Sequence, residues 1–164
     1  MNRINLNMSN YRIAILLTLL IVVFGMFGFI GPLILLNMIP QSIIGSFFMQ
    51  NSLFIVLSIL VLLYFVFTGI YVFKVNIDAY IIAITSYRSL SSVFKQRDYV
   101  DIPHAMLVDF DFFNRPFSLN TTLMLKIKSQ NKKQIVKRFN MTLLTAREKN
   151  KINDILQGIL NNNK

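Results

Sequence analysis

The acid–base and metal-binding chemistry open to this chain rests on one histidine, His104, and seven carboxylates, because cysteine is absent. Without cysteine there is no disulfide, no thiolate nucleophile, no thiolate metal site and no cysteine lipidation. A metal centre would need His104 plus carboxylates, and no ligand-like spacing surrounds it. A lone histidine directly after Pro103 reads as a surface residue in a turn that leads into a strand. Asp109 and Asp111 alternate with Val108, Phe110 and Phe112, so the two carboxylates share a strand face. Such a pair could bind a cation or do acid–base work, but acids opposite an apolar row are ordinarily the solvated side of a sheet. The sequence contains no P-loop, no GxGxxG and no Ser/His/Asp set. The expectation is a chain that is not an enzyme and needs no cofactor or metal.

One polar cluster stands out. Lys126, Lys128, Lys132, Lys133, Lys137 and Arg138 fall within thirteen residues, with no acid among them. On a hairpin several of them share a surface. Near an anionic leaflet each contributes about 1 kcal/mol, decaying within a Debye length. These six residues are the candidate surface for anionic lipid or a protein partner, and the competing reading is a plain solvated cytoplasmic face. Nucleic acid is not expected, since no exposed aromatic residues interleave with the cations for stacking.

The elements that position this cluster begin with two uncharged stretches, residues 13–36 and 52–73. As helices they reach roughly 36 Å and 33 Å, against a hydrocarbon core about 30 Å thick. The first contains 17 Leu, Ile, Val or Phe residues, and it is longer than the core of a secretory signal. All seven acids follow the second stretch, and the chain carries a net charge of +10. Arg3 and Arg12 precede the first stretch, the connecting residues 37–51 carry no charge, and Lys74 follows the second. By the positive-inside rule both ends face the cytoplasm, with Lys74 snorkelling and Tyr71 in an aromatic belt. Gly25, Gly28 and Gly31 permit close approach of the second helix, and Pro32 kinks or ends the first. No ionisable residue lies within either stretch, which argues against a proton relay or ion path made by this chain alone.

The expected organisation is a cytoplasmic tail (1–12), a first membrane helix (13–36), an outer loop (37–51), a second membrane helix (52–74) and a cytoplasmic domain (75–164). The domain reads as α+β. Residues 77–84 alternate as a first strand, and a serine-rich stretch (85–92) breaks the pattern. Residues 107–113 form another strand, Asn114, Arg115 and Pro116 a turn, and Leu123, Leu125 and Ile127 the inner face of the next. Pairing Ile127 with Ile135 puts Phe139 inside but leaves Lys137 on the same face, which calls for a bulge or an edge strand. Thr145 and Glu148 form a capping box, followed by the stripe Ile152, Ile155, Leu156, Ile159 and Leu160, an amphipathic C-terminal helix.

Two apolar helices, then the Ile102-Pro103 step into residues 107–113, then Arg115, Phe117, Leu119 and Thr121 leading into an alternating strand, resemble the bacterial PH-like (pleckstrin-homology-like) membrane proteins of the YdbS-like group. The resemblance implies an antiparallel β-sheet or barrel closed by one C-terminal helix. It departs in two places: Phe117-Ser118 stand where the family often has Gly, and about six candidate strands are visible where the fold has seven. The function expected is a scaffold or accessory subunit of the cytoplasmic membrane, contacting lipids and a protein partner or a second copy. The alternative implied by the resemblance is self-immunity against membrane-active bacteriocins. A transporter or enzyme role would require a partner chain to supply the polar groups.

Overall fold

The computed structural model describes residues 5–38, 43–50, 52–90, 98–114, 116–128 and 133–163. In chain order the elements are β1 (Leu6–Ser9), α1 (Tyr11–Met38), α2 (Ile43–Gln50), α3 (Ser52–Thr68), β2 (Tyr71–Ile77), β3 (Ile81–Arg88), β4 (Asp98–Pro103), β5 (Leu107–Asn114), β6 (Asn120–Lys128), β7 (Gln134–Thr142) and α4 (Ala146–Asn162). They form two units. The chain up to Ala14 joins everything from Ile70 onward, and residues 15–69 form the second unit.

The first unit is an α+β domain of two antiparallel sheets, ordered β1-β2-β3-β4 and β5-β6-β7. Alternation supplies its core: Phe73, Val75 and Ile77 from β2, Ile82 and Ile84 from β3, and Leu123, Leu125 and Ile127 from β6 are all buried. α4 closes the core with Ile152, Leu156 and Ile159, whose burial contributes about 5–9 kcal/mol before entropy costs. Its capping box is formed, with the Glu148 N–H donating to Thr145 Oγ1 (3.3 Å) and the Thr145 N–H donating to Glu148 Oε2 (2.9 Å). At the other end Asn163 Nδ2 donates to the His104 carbonyl at 2.7 Å, tying the helix to the β4–β5 connection.

Several local expectations change. The tail is not free of structure: Leu6–Ser9 adds to the edge of β2, with Leu6 opposite Ile77 and Leu6 buried in the core. The second apolar run is divided. Gly69, at φ 70, stops α3 after seventeen residues, and Tyr71 opens β2 with Val72 and Phe73 buried. Lys74 therefore stands exposed in a strand, opposite Ser9, and Tyr71 is half-buried beside it. Residues 77–84 are a hairpin rather than one strand. Asp78 Oδ1 accepts from the N–H groups of Tyr80 (2.9 Å) and Ile81 (2.8 Å), turning the chain between β2 and β3. β3 then continues to Arg88, through the serine-rich stretch, because Ser86 is buried and donates to the Asn140 carbonyl at 2.6 Å. Residues 91–97 lie outside the described residues.

The second unit is helical. Among the described residues one helix, Tyr11–Met38, is long and apolar enough to cross a membrane by length and composition. Pro32 does not end it. Proline cannot donate to the carbonyl four residues back, and the helix accommodates this with a π turn over Met26–Ile30 in which the Gly31 N–H reaches the Met26 carbonyl. α3, with seventeen residues, is about 26 Å long. Gly25 and Gly28 face it: a Cβ on Gly28 would stand 2.8 Å from Ser58 Oγ, and one on Gly25 3.1 Å from a Leu62 methyl. Gly31 does not share that contact, since its added Cβ would meet only the Met26 carbonyl.

Candidate functional site

The strand pair β6–β7 carries the basic cluster, and its register places Ile127 opposite Ile135 with Phe139 fully buried. Lys137 lies on the same face as Phe139, yet no bulge is needed. β7 is an edge strand whose first five residues, Gln134 to Arg138, are exposed, so the core ends before Lys137. The cluster is consequently split between two faces. Lys126, Lys128 and Arg138 point away from the core beside Val136, Lys137 points the other way with Ile135, and Lys133 is exposed just ahead of β7. Lys132 lies outside the described residues.

An acid also enters the cluster across the sheet. β5 pairs with β6 so that Asp109 faces Lys126, and their side chains form an ion pair at 2.9 Å. The bond from Lys126 lowers the Asp109 carboxyl below its ordinary value, and the same bond raises the Lys126 ammonium. Both side chains are half exposed, so the pair fixes geometry more than it adds stability. Among the described residues Lys128, Lys133, Lys137 and Arg138 form no ion pair, and they lie around the first half of β7. Asp111 sits one row further on the same face, in line with Met124 and Arg138. Val108 leaves the apolar row that Phe110 and Phe112 keep, because a bulge between Leu107 and Asp109 shifts it outward.

His104 lies in the turn that leads into β5 but is half-buried in a short 3₁₀ turn there, and among the described residues its buried Nε2 has no hydrogen-bond partner. Among the described residues no three His, Asp or Glu side chains converge as a metal site would require. At the β5–β6 turn Phe117 adopts φ 56 and is 95% exposed, taking the left-handed conformation for which glycine is the usual residue.

Sequence reasoning missed a buried polar junction. Asn10, 7% exposed, donates from Nδ2 to the carbonyls of Tyr71 (3.0 Å) and Thr142 (2.9 Å) and accepts through Oδ1 from the Phe73 N–H (2.8 Å). Thr142 Oγ1 accepts from the Tyr71 N–H at 2.7 Å and donates to Asn120 Oδ1. These bonds tie β7 to β2 at the point where the chain leaves the domain for α1 and returns from α3. No spacing in the sequence announces them, since the partners are 22 to 132 residues apart.

Comparison with protein-family models, with curated proteins and with solved structures finds no match for this chain.

Proposed function

We propose that the chain is a non-enzymatic, membrane-anchored scaffold or accessory subunit with a PH-like domain of the YdbS-like kind. In this reading α1 and α3 cross a bacterial cytoplasmic membrane, both chain ends are cytoplasmic, and the domain contacts a protein partner, a second copy or anionic headgroups. The observation that carries the proposal is the apolar exposure of the helical unit. Leu16, Leu19, Phe27 and Ile34 on α1, and Leu53, Leu60 and Phe67 on α3, are each more than half exposed. A water-soluble helix hides such a stripe against a core, and a continuous exposed apolar surface requires a cover. Lipid supplies one.

Charge supports the orientation. Arg12 precedes the apolar part of α1 and Lys74 follows α3, while the residues between the helices carry no charge. α3 is at the short end of spanning lengths, which local thinning of the bilayer accommodates. The PH-like reading draws on four strands and three strands in two sheets closed by a C-terminal helix, with the helices inserted between β1 and β2. With β1, the strands among the described residues number seven.

The test is purification from native membranes in mild detergent. The proposal expects the chain in the carbonate-resistant membrane fraction, with a stoichiometric partner or as a homo-oligomer. A protein released into aqueous buffer, or a monodisperse monomer without partners, contradicts it.

A further inference from the structure

We infer that the open edge of β7 takes up an extended acidic segment of a partner protein as an added strand, a conclusion that rests on the proposed role as an interaction module. Among the described residues β7 is the last strand of its sheet and pairs on one side only, with β6. Its second half is engaged: the Asn140 and Thr142 carbonyls accept from Ser86 and Asn10. Its first half is not. Among the described residues no backbone hydrogen bond leaves Gln134–Arg138 on the side away from β6. Unpaired edge groups are a template for another strand.

Side chains on both faces suit such an addition. Ile135 and Val136 point to opposite faces and are 45% and 48% exposed, so two consecutive apolar residues of an added strand, one on each face, would each find an apolar neighbour. Lys133, Lys137 and Arg138 flank them, and Lys126 is already matched by Asp109. The incoming strand is therefore acidic. A second copy of β7 would instead double the positive charge along one ladder with no acid to offset it. Burial of this edge in lipid would leave its N–H and C=O groups unpaired in hydrocarbon, at a cost of several kcal/mol each. A peptide strand pairs them.

The experiment uses the full chain in nanodiscs of phosphatidylcholine, titrated against a fluorescent peptide of about ten residues in which Val-Val and Glu-Glu pairs alternate, so that each face of the strand carries both. We expect saturable binding by anisotropy. Binding should weaken at least about tenfold when alternate peptide amides are N-methylated, when Lys replaces Glu in the peptide, or in the Lys137→Glu/Arg138→Glu variant. Lys74→Glu, an exposed change on β2, should bind as the parent does. Equal binding of the N-methylated peptide overturns strand addition, and equal binding of the Lys peptide overturns the acidic partner. Absence of peptide binding, with phosphatidylglycerol vesicles captured through Lys137 and Arg138 instead, makes the edge a lipid contact. The proposed function fails on membrane extraction or on native partners, which this titration does not read.

Discussion

Asn10 uses three of its side-chain hydrogen-bonding positions within a junction that is 7% exposed, and it has no substitute there. Asn10→Ala leaves the buried Phe73 N–H and Thr142 carbonyl, and the part-buried Tyr71 carbonyl, without these partners. Each unmet buried group costs about 1–3 kcal/mol, so the two buried groups imply a loss of about 2–6 kcal/mol by denaturant unfolding of the domain. Phe117 is the opposite case. Its left-handed backbone costs about 1–2 kcal/mol for a residue with a Cβ, and its side chain packs little, so Phe117→Gly should raise stability by up to about 1 kcal/mol after the entropy of glycine. Asp78 gives a pH signature. The N–H groups of Tyr80 and then Ile81 hold its carboxyl below the ordinary carboxylate value. A group depressed on folding contributes stability that is present above the unfolded value and is lost as pH falls through the folded one. Asp78→Asn keeps an acceptor oxygen but does not titrate, so the acid limb of the stability curve below about pH 4 should become shallower. An unchanged acid limb would show that the turn does not hold the carboxylate.

At the scale of elements, α4 was legible because its signal is local and strict: a capping box followed by a stripe at helical spacing has one reading. The pairing of Ile127 with Ile135 was visible too, but Lys137 on the face of Phe139 left a bulge or an edge strand open, and only the place of β7 at the edge of its sheet decides between them. β1 was not legible: it is four residues long, and its partner strand begins after the whole helical unit. Tyr71, Val72 and Phe73 are apolar enough for either solvent, so only Gly69 marks where α3 yields to β2. The period-two pattern also runs unbroken through the Asp78 turn, which hid a hairpin inside one apparent strand. For the candidate surface, the six cations were visible along the chain, but Asp109 lies seventeen residues from Lys126 and comes beside it only when β5 pairs. In the helical unit, Gly28 and Ser58 give a test of packing. Gly28→Ala places a Cβ 2.8 Å from Ser58 Oγ, and the added Ser58→Ala change removes that oxygen. The single variant should loosen the α1–α3 contact and the double variant should recover part of it, read as a non-additive pair in a double-mutant cycle. Purely additive effects would mean the two residues do not touch.

For the whole molecule, the account joins a domain with a complete core of its own to a helical unit whose apolar surface has no core to enter. The division follows from composition: all the acids and all the cations lie in the unit that holds the sheets, and residues 15–69 carry no charge. Folding of the domain depends on both ends of the helical insertion, because β1 precedes it and β2 follows it. The proposed two-crossing arrangement therefore requires β1 and the rest of the domain on one side of the membrane. The absence of cysteine makes this directly measurable, since a single introduced thiol is the only one in the chain. Ser46→Cys, between the long helices, and Asn163→Cys, at the end of α4, are each labelled in intact cells with a membrane-impermeant maleimide. The account predicts that Cys at position 46 reacts at once and Cys at position 163 only after permeabilisation. Equal labelling of both in intact cells, or protection of both, would contradict it.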